Sequence, residues 1–442
     1  MLTVMKRYRG IYAVLLGLLA AGAFLFASSH YEVNATVPAE RIQSLPFAEE
    51  YYAAVNERFG VGLNPGITVS VNGMVRPALV TDYNINELRI GWYSDWRTNR
   101  EPLRPGGIKY VQLILVRASV YPTNTLQLTE TVAATPGSLW LIGNEPEGKY
   151  GQGNRTPQEY ARIYHEMYTL IKGLDPTACI AIGGVIQPTP LRLQWLDLLL
   201  SEYENLFGEP MPVDVWNIHA QILQEKARDW GAEIPAGLSA TEGRLYTLQD
   251  NADPDIFRQL VIEFRQWMKA KGFQDKPLII SEYGVLMPST YIVEDGDADK
   301  GDQKIIDFMH QTFNFLVNAK DPDLGYPADD DRLVQQWLWY SLNDQPYDPA
   351  TGLGFNGSLF SHQDPTQMTK FGLAFRDYMN TLLGSKIMLP VVMRRAPTHR
   401  GTSDGGGSWY LLRKRLKGRG DGTTCSWLSC CSYWLPCWSK AY

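Results

Sequence analysis

Two glutamates stand at the ends of apolar stretches, where a carboxyl group could take part in acid–base chemistry. Glu145 ends the apolar stretch within Leu139–Glu147, and Glu282 ends the one within Leu278–Gly284. Each stretch predicts a buried strand that presents its carboxyl group as the chain leaves the core. Hydrolysis of a glycosidic bond uses such a pair, with one carboxyl group as the acid and the other as a nucleophile or base. The fold must then bring the two strand ends together.

Short apolar runs recur along the chain and are mostly followed by helix-like segments. We predict eight strands from these runs: Phe59–Pro65, Leu88–Trp96, Ile108–Arg117, Leu139–Glu147, Cys179–Pro188, Val213–Ile222, Pro277–Val285 and Gln335–Asp344. Alternation of strands and helices is typical of an α/β protein with a parallel sheet. Eight such units in about 330 residues favour a (β/α)8 barrel, the TIM barrel, over an open sheet. The carboxyl ends of all the strands would then lie on one face of the barrel.

Three helices have clear start and stop signals. One spans Thr156–Gly173, with a proline at its first position and Glu159 completing a capping box. A second spans Asp253–Gly272, and a third begins at Thr189. Their aromatic side chains recur at helical spacing, so we predict that these side chains pack in the core. A short amphipathic helix is predicted to end at Arg58.

The composition limits the classes of function. The chain has 442 residues, of which 45% are hydrophobic, enough for a sizeable core. Its formal charge is −6, and because the residues from Arg394 onward carry +7, the preceding body carries −13. An acidic body argues against nucleic acid as the partner, since nucleic-acid binders normally present a basic face.

The two ends of the chain differ from the middle. Residues 1–30 combine a basic start with an uncharged apolar run, which predicts a signal peptide or a membrane anchor and an extracellular or cell-surface location. Residues 31–57 are predicted to be a linker with the short helix, and residues 58–388 the catalytic domain. Residues 389–442 are basic and rich in cysteine and tryptophan, and we predict a disordered tail. A metal or disulfide knot is the alternative, but its cysteine spacing suits a metal poorly.

The motifs at the two predicted strand ends resemble those of clan A of the glycoside hydrolases. The resemblance rests on Asn144-Glu145-Pro146 at the fourth strand and Ser281-Glu282-Tyr283-Gly284 at the seventh, and it covers about residues 58–385. It implies a (β/α)8 enzyme that cleaves with retention of anomeric configuration. Glu145 would be the general acid/base and Glu282 the nucleophile. Asn144 would bind the 2-hydroxyl group of the sugar.

The resemblance also suggests residues that would contact the sugar. His219, which ends the sixth run, matches a position that lines the site in this clan, and Trp339 in the eighth run matches a tryptophan on which the sugar stacks. Tyr283, beside the nucleophile, is a further expected contact. In the second run we expect Trp92, Asp95 and Trp96 to contact the sugar.

Other features of the second and fourth runs leave alternatives open. Clan A enzymes often carry an arginine that supports the nucleophile, and here Arg89 and Arg97 both qualify. Glu147 is interpreted as a loop residue, although its charge would help to raise the pKa of an acid catalyst at Glu145.

No other catalytic chemistry has a comparable signal in the sequence. It lacks the zinc-protease, nucleophile-elbow and Walker motifs, and its six histidines are scattered. We therefore expect no metal and no cofactor, and a poly- or oligosaccharide as the substrate. A non-catalytic carbohydrate-binding barrel and a hydrolase acting with inversion are the alternatives.

Overall fold

The computed structural model describes residues 52–384, except 72, 119–123, 150–151, 349 and 351–352. The described residues belong to one compact unit. None of the helices in this part of the chain is both long enough and apolar enough to cross a membrane. The predicted signal or anchor, most of the linker and the tail lie outside the described residues. Of the short helix predicted to end at Arg58, the structure describes one 3-10 turn, Val55–Arg58.

Every predicted strand run contains a strand of the structure. The strands are β1 (Phe59–Gly62), β2 (Thr68–Val71), β3 (Met74–Pro77), β4 (Trp92–Ser94), β5 (Lys109–Tyr110), β6 (Gln112–Ile114), β7 (Leu139–Asn144), β8 (Cys179–Gly184), β9 (Trp216–Ile218), β10 (Leu278–Tyr283) and β11 (Gln336–Trp339). The third run holds both β5 and β6, which Val111 alone separates. The hairpin formed by β2 and β3 was not predicted, because its strands are largely exposed and no apolar run marks them.

The strands form two parallel sheets. One has the order β5-β4-β1-β11-β10-β9 and the other the order β6-β7-β8, while β2 and β3 pair antiparallel apart from both. Two joints connect the sheets. At the first, the chain continues from β5 through Val111 into β6. At the second, isolated parallel bridges join Ala181 to Val215 and Val185 to Ile218, at the β8 and β9 edges.

In the described part of the chain six α-helices accompany the strands, and the three with clear sequence signals are confirmed. The helices are α1 (Thr125–Ala134), α2 (Pro157–Leu174), α3 (Pro190–Phe207), α4 (Pro254–Ala270), α5 (Ala298–Asn318) and α6 (Lys370–Leu383). The hydroxyl of Thr156 accepts a hydrogen bond from the Glu159 amide, completing the capping box of α2. Asp253 caps α4 in the same way, and Gly208 ends α3 in the left-handed region.

Alternate strand residues pack into separate hydrophobic clusters. One cluster is built mainly from strand residues: Tyr52, Trp92, Val111, Leu113, Leu139, Leu141, Ala181, Val215, Ile279 and Leu338. The intervening strand residues, among them Trp140, Ile280, Trp337 and Trp339, pack with the helices in a larger cluster. Because side chains along a strand alternate between two faces, this division identifies which strand residues face the helices.

Candidate active site

A cavity of about 750 Å³ lies at the carboxyl ends of the parallel strands. Each of the eight predicted strand runs contributes lining residues from its end or from the loop that follows: Asn64, Asp95, Leu115, Asn144, Ile186, Gln221, Glu282 and Tyr340 are examples. Parallel α/β folds place their active sites on this face. The strand ends thus bring together the side chains that were separate in the sequence.

The two predicted catalytic glutamates meet in this cavity. Glu145, His219 and Glu282 each offer an atom that lies within 4.8 Å of those of the other two. The Nδ1 atom of His219 is 2.9 Å from Oε1 of Glu145, and both side chains are buried. A pair of carboxyl groups about 5–5.5 Å apart is typical of glycosidases that form a covalent intermediate. Among the described residues, these three side chains are also the group whose ligand atoms lie close enough together to hold a metal ion.

The backbone at the end of β7 turns both Asn144 and Glu145 into the cavity. Neighbouring residues of a regular strand would point to opposite faces. Here Glu145 has a φ of 44° and Gly143 a φ of 102°, so the strand ends in left-handed backbone. Trp96 and Ala220 occupy the same region, with φ of 55° and 54°, just after β4 and β9. Such residues cost of order 1–3 kcal/mol each and cluster at functional sites.

Glu282 reaches the cavity through an irregularity in β10. The pairing of β10 with β11 shifts register between Ile280 and Tyr283, as at a β-bulge. Ile280 and Tyr283, three residues apart, therefore both pack with the helices, which strict alternation would forbid. Glu282, between them, is left to line the cavity.

The electrostatic environment of Glu282 favours its protonated form. Burial raises the pKa of Glu282, the imidazole of His219 lowers it, and the carboxyl group of Glu145 raises it further, with a net rise to about 7. The Nε2 of Gln221 donates a hydrogen bond to Oε1 of Glu282 at 3.4 Å, and the indole of Trp96 also donates to the Glu282 side chain. Neither Arg89 nor Arg97 is among the groups with the largest effects on the pKa of Glu282.

His219, which was predicted to contact the sugar, is 1% exposed and is not among the residues that line the cavity; it lies beside the two glutamates instead. Burial lowers the pKa of His219, but the negative charges of Glu282 and Glu145 and the hydrogen bond with Glu145 more than offset this effect, so the pKa rises. A charged imidazole donates from Nδ1 to Glu145 Oε1. His219 thus helps to hold negative charge on the pair and fixes the orientation of Glu145.

The raised pKa of Glu282 leads to a prediction about stability. Between its ordinary pKa of about 4.3 and the raised value, the folded state binds more protons than the unfolded state, so stability falls as the pH rises through this window. Glu282→Gln removes the titrating group. The free energy of unfolding is measured by urea titration for the variant and for the unsubstituted protein. We expect the difference, variant minus unsubstituted, to be about 1–3 kcal/mol larger at pH 8 than at pH 4.

Glu130→Gln provides the control for this prediction, because Glu130 is exposed and lies on α1. It should leave the pH dependence of stability unchanged. A stability difference between Glu282→Gln and the unsubstituted protein that stays constant from pH 4 to pH 8 would contradict the prediction.

Glu147 lies in the turn that follows the strand β7, as expected of a loop residue, and it takes part in a buried ion-pair network. It is fully buried, and its Oε1 is 2.9 Å from Nε of Arg192. Arg192, also fully buried, forms a second ion pair with Glu225 and donates to the carbonyl of Ala232 at 2.8 Å. Glu147 follows β7, Arg192 lies on α3 and Glu225 follows β9, so this buried network ties together segments attached to both sheets.

Asp95 lines the cavity, as predicted, but its carboxyl oxygens already have partners. Oδ2 accepts from Nε of Arg97 at 3.0 Å, and Oδ1 accepts a hydrogen bond from the hydroxyl of Tyr110. Arg97 therefore presents its guanidinium on the cavity side that also carries Arg117 and Lys149. Arg117 ends the third strand run, and Arg97 and Lys149 lie in the loops that follow the second and fourth runs.

The lining contributed by the later runs is mainly apolar. Its apolar and aromatic members are Ile186, Leu223, Leu286, Met287, Tyr340 and Phe355. Since Trp96 and Leu115 add apolar surface from the second and third runs, the cavity lining combines cationic and apolar groups.

Three aromatic residues predicted to contact the sugar do not line the cavity. Trp92, Tyr283 and Trp339 are fully buried. Trp92 donates from its indole to the carbonyl of Arg58 at 3.2 Å, Trp339 to that of Gly357 at 2.8 Å, and the hydroxyl of Tyr283 lies 3.4 Å from that of Thr312. Trp92 belongs to the cluster of strand residues, whereas the other two pack with the helices. Their placement corrects the expectation that they contact the sugar.

Other aromatic residues form the cavity wall. The ring centroids of Trp96 and Tyr340 are 5.6 Å apart, and those of Tyr340 and Phe355 are 5.8 Å apart. Tyr340 follows Trp339 directly and so takes the opposite facing. Assigning the wrong face to the eighth strand explains why the sequence prediction selected Trp339 and missed Tyr340. Gln221 and Lys149 were also missed, since no motif marks them.

Comparison with known proteins finds carbohydrate-active enzymes. No protein-family model matches the chain. A stretch of 92 residues, 21% of this chain, is 29% identical to an intracellular exo-α-(1→5)-L-arabinofuranosidase of Acetivibrio thermocellus. The match spans 16% of that relative's length.

The similar solved structures include glycosidases and an oligosaccharide-binding protein of GH128 (subgroup VII) from Trichoderma gamsii. A GH128 (subgroup II) endo-β-1,3-glucanase from Sorangium cellulosum has a TM-score of 0.43 at 14% identity, covering 73% of this chain and 98% of its own. A glucosidase from Croceicoccus marinus has a TM-score of 0.45 at 14% identity. That match covers 73% of this chain and 70% of the glucosidase. A β-xylosidase from Caulobacter crescentus has a TM-score of 0.43 at 13% identity. That match covers 72% of this chain and 67% of the xylosidase. We infer the function from the geometry of the cavity.

Proposed function

We propose that this protein is a retaining glycoside hydrolase that cleaves O-glycosidic bonds of a poly- or oligosaccharide by double displacement. The observation that carries the proposal is the approach of Glu145 and Glu282, whose oxygens lie within 4.8 Å in a cavity large enough for sugar units. This spacing supports retention, since inverting enzymes hold their two carboxyl groups about 6.5–9.5 Å apart. The proposal requires no metal and no cofactor.

The pairing of the strands supports a (β/α)8 barrel as the scaffold. β1 pairs with both β4 and β11, and β9 pairs with β10. The isolated bridges at the β8 and β9 edges and the continuation of β5 into β6 link the remaining strands. Followed in order, these links return to β1, so we propose that the two sheets are parts of one closed barrel.

In the first step of the proposed reaction, Glu282 attacks the anomeric carbon. The bond to the leaving oxygen breaks, and Glu145 transfers its proton to that oxygen. The products of this step are a free alcohol and a glycosyl ester of Glu282. The raised pKa of Glu282 indicates that the carboxyl pair holds a proton near neutral pH. Attack requires the charged form of Glu282, so the proposed step uses the form of the pair in which Glu145 carries the proton.

In the second step, Glu145 acts as a base. It removes a proton from water, whose oxygen attacks the anomeric carbon and displaces Glu282. Two inversions give net retention of configuration. His219 orients Glu145 through both steps, and the aromatic wall of Trp96 and Tyr340 offers surfaces for packing against sugar rings.

The proposal is tested with a 2-deoxy-2-fluoro glycoside that carries a dinitrophenyl leaving group. The fluorine slows the second step, so we expect a stable ester on the peptide that contains Glu282, identified by mass spectrometry. A first product of inverted configuration, observed by NMR, would instead show an inverting hydrolase. Glycan binding without turnover or labelling would show a non-catalytic carbohydrate-binding protein.

A second prediction concerns the position of His219. A Cβ added at Gly184 would lie 2.4 Å from Cδ2 of His219 and 2.7 Å from its Nε2. Gly184→Ala must therefore move the imidazole away from Glu145. We expect kcat/KM to fall by about tenfold or more, because general acid–base catalysis contributes about 10²–10⁴-fold.

Gly173→Ala is the matched control, since a Cβ at Gly173, on α2, would meet no atom within 4 Å. Activity should be unchanged and stability raised by about 0.5–1 kcal/mol, as expected for alanine in a helix. Normal kcat/KM and an unshifted pH profile in Gly184→Ala would show that His219 does not position Glu145.

We also propose, from the sequence alone, that residues 1–30 direct export of the protein. The measurement is the N-terminal sequence and cellular fraction of the full chain after expression. Recovery of the intact chain in the cytoplasm would contradict this part of the proposal.

A further inference from the structure

Three cationic side chains line the cavity, although the chain up to Met393 has a formal charge of −13. Arg97, Arg117 and Lys149 belong to the ends of three consecutive strand runs or to the loops that follow them. The backbone of Arg97 lies against the third run, because its carbonyl accepts from the amide of Leu113 at 3.1 Å. The three cations therefore come from neighbouring strands at one face, where they depart from the charge of the rest of the chain.

The cations are accessible, whereas the carboxylates paired with them are buried. The side chain of Arg97 is 45% exposed against 4% for Asp95, and that of Lys149 is 30% exposed against 6% for Glu233. Arg117 is exposed as well. An anion that enters the cavity therefore reaches the cations more readily than their carboxylate partners.

Arg97 and Lys149 keep hydrogen-bond donors that their partners do not use. Among the described residues, the side chain of Arg97 donates from Nε and Nη2 to one oxygen of Asp95, and Nζ of Lys149 donates to Oε1 of Glu233 at 3.4 Å. A guanidinium group has five N–H donors and an ammonium group has three. Each cation can therefore bind a second anion without giving up its present partner.

The carboxyl groups in the cavity lining do not cancel this positive charge. Both oxygens of Asp95 already accept hydrogen bonds, one from Arg97 and the other from Tyr110. Glu145 and Glu282 hold a proton between them near neutral pH, because the pKa of Glu282 is raised to about 7. In that state the lining carries three cations against two negative charges.

Charged donors in an accessible cavity form their strongest hydrogen bonds with anionic acceptors. Carboxylates and sulfate esters are the groups that supply such acceptors on a glycan. We infer that Arg97, Arg117 and Lys149 form an anion-binding subsite, and that the preferred substrate is an acidic glycan with a carboxylate or a sulfate ester on a unit bound there. The inference rests on the proposed function and extends it to the class of substrate.

The test compares acidic glycans with neutral partners of the same chain length. The carboxylated probes are galacturonate, mannuronate and hyaluronan tetrasaccharides, each paired with its methyl ester, and the sulfated probe is sulfated cellotetraose paired with cellotetraose. All proteins carry Glu145→Gln to block turnover, and dissociation constants come from calorimetry. We expect the acidic member of at least one pair to bind about tenfold or more tightly, the effect of hydrogen bonds to a charged group. The advantage should shrink when the salt concentration is raised, since salt screens charges that water reaches.

Two substitutions locate the anion, and a third is the control. Arg97→Gln and Lys149→Gln should each reduce the advantage of the acidic member by about threefold or more, the effect of losing a partly exposed ion pair. Arg100→Gln removes an exposed cation three positions after Arg97 that is not among the residues lining the cavity, so the advantage should stay unchanged. Thermal unfolding checks the fold of each variant, and the two cavity variants test the subsite independently.

Each result decides the inference. An advantage confined to the sulfated pair assigns the subsite to sulfate esters, and one confined to the methyl-ester pairs assigns it to carboxylates. Equal or weaker binding of every acidic member, an advantage that persists in both Arg97→Gln and Lys149→Gln, an equal loss in Arg100→Gln, or no binding of any probe would overturn it.

The proposed function is judged separately, by the labelling of Glu282 in the protein without substitutions. Selective binding of acidic glycans without labelling would therefore reject the hydrolase and keep the anion-binding subsite. Labelling without any preference for acidic glycans would keep the hydrolase and reject the subsite.

Discussion

Replacing Glu282 with glutamine should reduce kcat/KM on aryl glycosides by about 10⁴-fold or more, as expected when a catalytic nucleophile is lost. The covalent step cannot occur without the carboxylate. Replacing Glu145 should have an effect that depends on the leaving group. A dinitrophenolate departs without a proton, so its release should be little affected, whereas a poor leaving group should lose about 10²–10⁴-fold.

Azide distinguishes the two roles. In Glu282→Ala, azide can attack from the side that the carboxylate occupied, giving a glycosyl azide of inverted configuration. In Glu145→Ala, azide should intercept the glycosyl ester and give the retained configuration. Glu130→Gln, at an exposed position, is the control and should keep full activity. Equal losses for good and poor leaving groups in Glu145→Gln would contradict the assignment of the general acid.

Replacing Arg192 with methionine should destabilise the protein by about 3–5 kcal/mol, the cost of breaking a buried ion pair from one side. Arg192, Glu147 and Glu225 are all fully buried, so the variant would leave two carboxylates without their cation. Burial already raises the pKa of Glu147 even with Arg192 present. The free energy of unfolding, from urea titration at neutral pH, measures the effect.

The matched control is Arg100→Met, which removes an exposed ion pair with Glu130. Exposed pairs contribute about 0–1 kcal/mol, so this change should be mild. Adding Glu147→Gln and Glu225→Gln to Arg192→Met should recover part of the loss, because the buried negative charges are removed. A loss in Arg192→Met no larger than that of Arg100→Met would show that the network is not a main source of stability.

The sequence was most informative where local pattern and tertiary position coincide. Buried parallel strands are continuous apolar runs, so β7 and β10 could be predicted, and the capping box at Thr156 marked the start of α2. Glu145 and Glu282 could be selected because a parallel arrangement places strand ends on one face, whatever the separation along the chain.

The parts that were missed depend on geometry that no local pattern encodes. The facing of the last strand decided between Trp339 and Tyr340, and a shift of one residue reverses it. The register shift in β10 turns Glu282 into the cavity, and left-handed backbone turns Glu145 into it. No local sequence pattern marks either feature. Nothing in the sequence connects Arg192 with Glu147, which lies 45 positions earlier.

The division of the strands into two sheets has a consequence for motion. Glu145 extends from the three-stranded sheet, whereas His219 and Glu282 extend from the six-stranded sheet. The gap between the two carboxyl groups is therefore a distance between sheets, and small relative displacements at the two joints change it directly. The hydrogen bond between His219 and Glu145 and the buried network around Arg192 both cross the joint at β8 and β9. The alignment of the two carboxyl groups therefore depends on the contacts that hold this joint together.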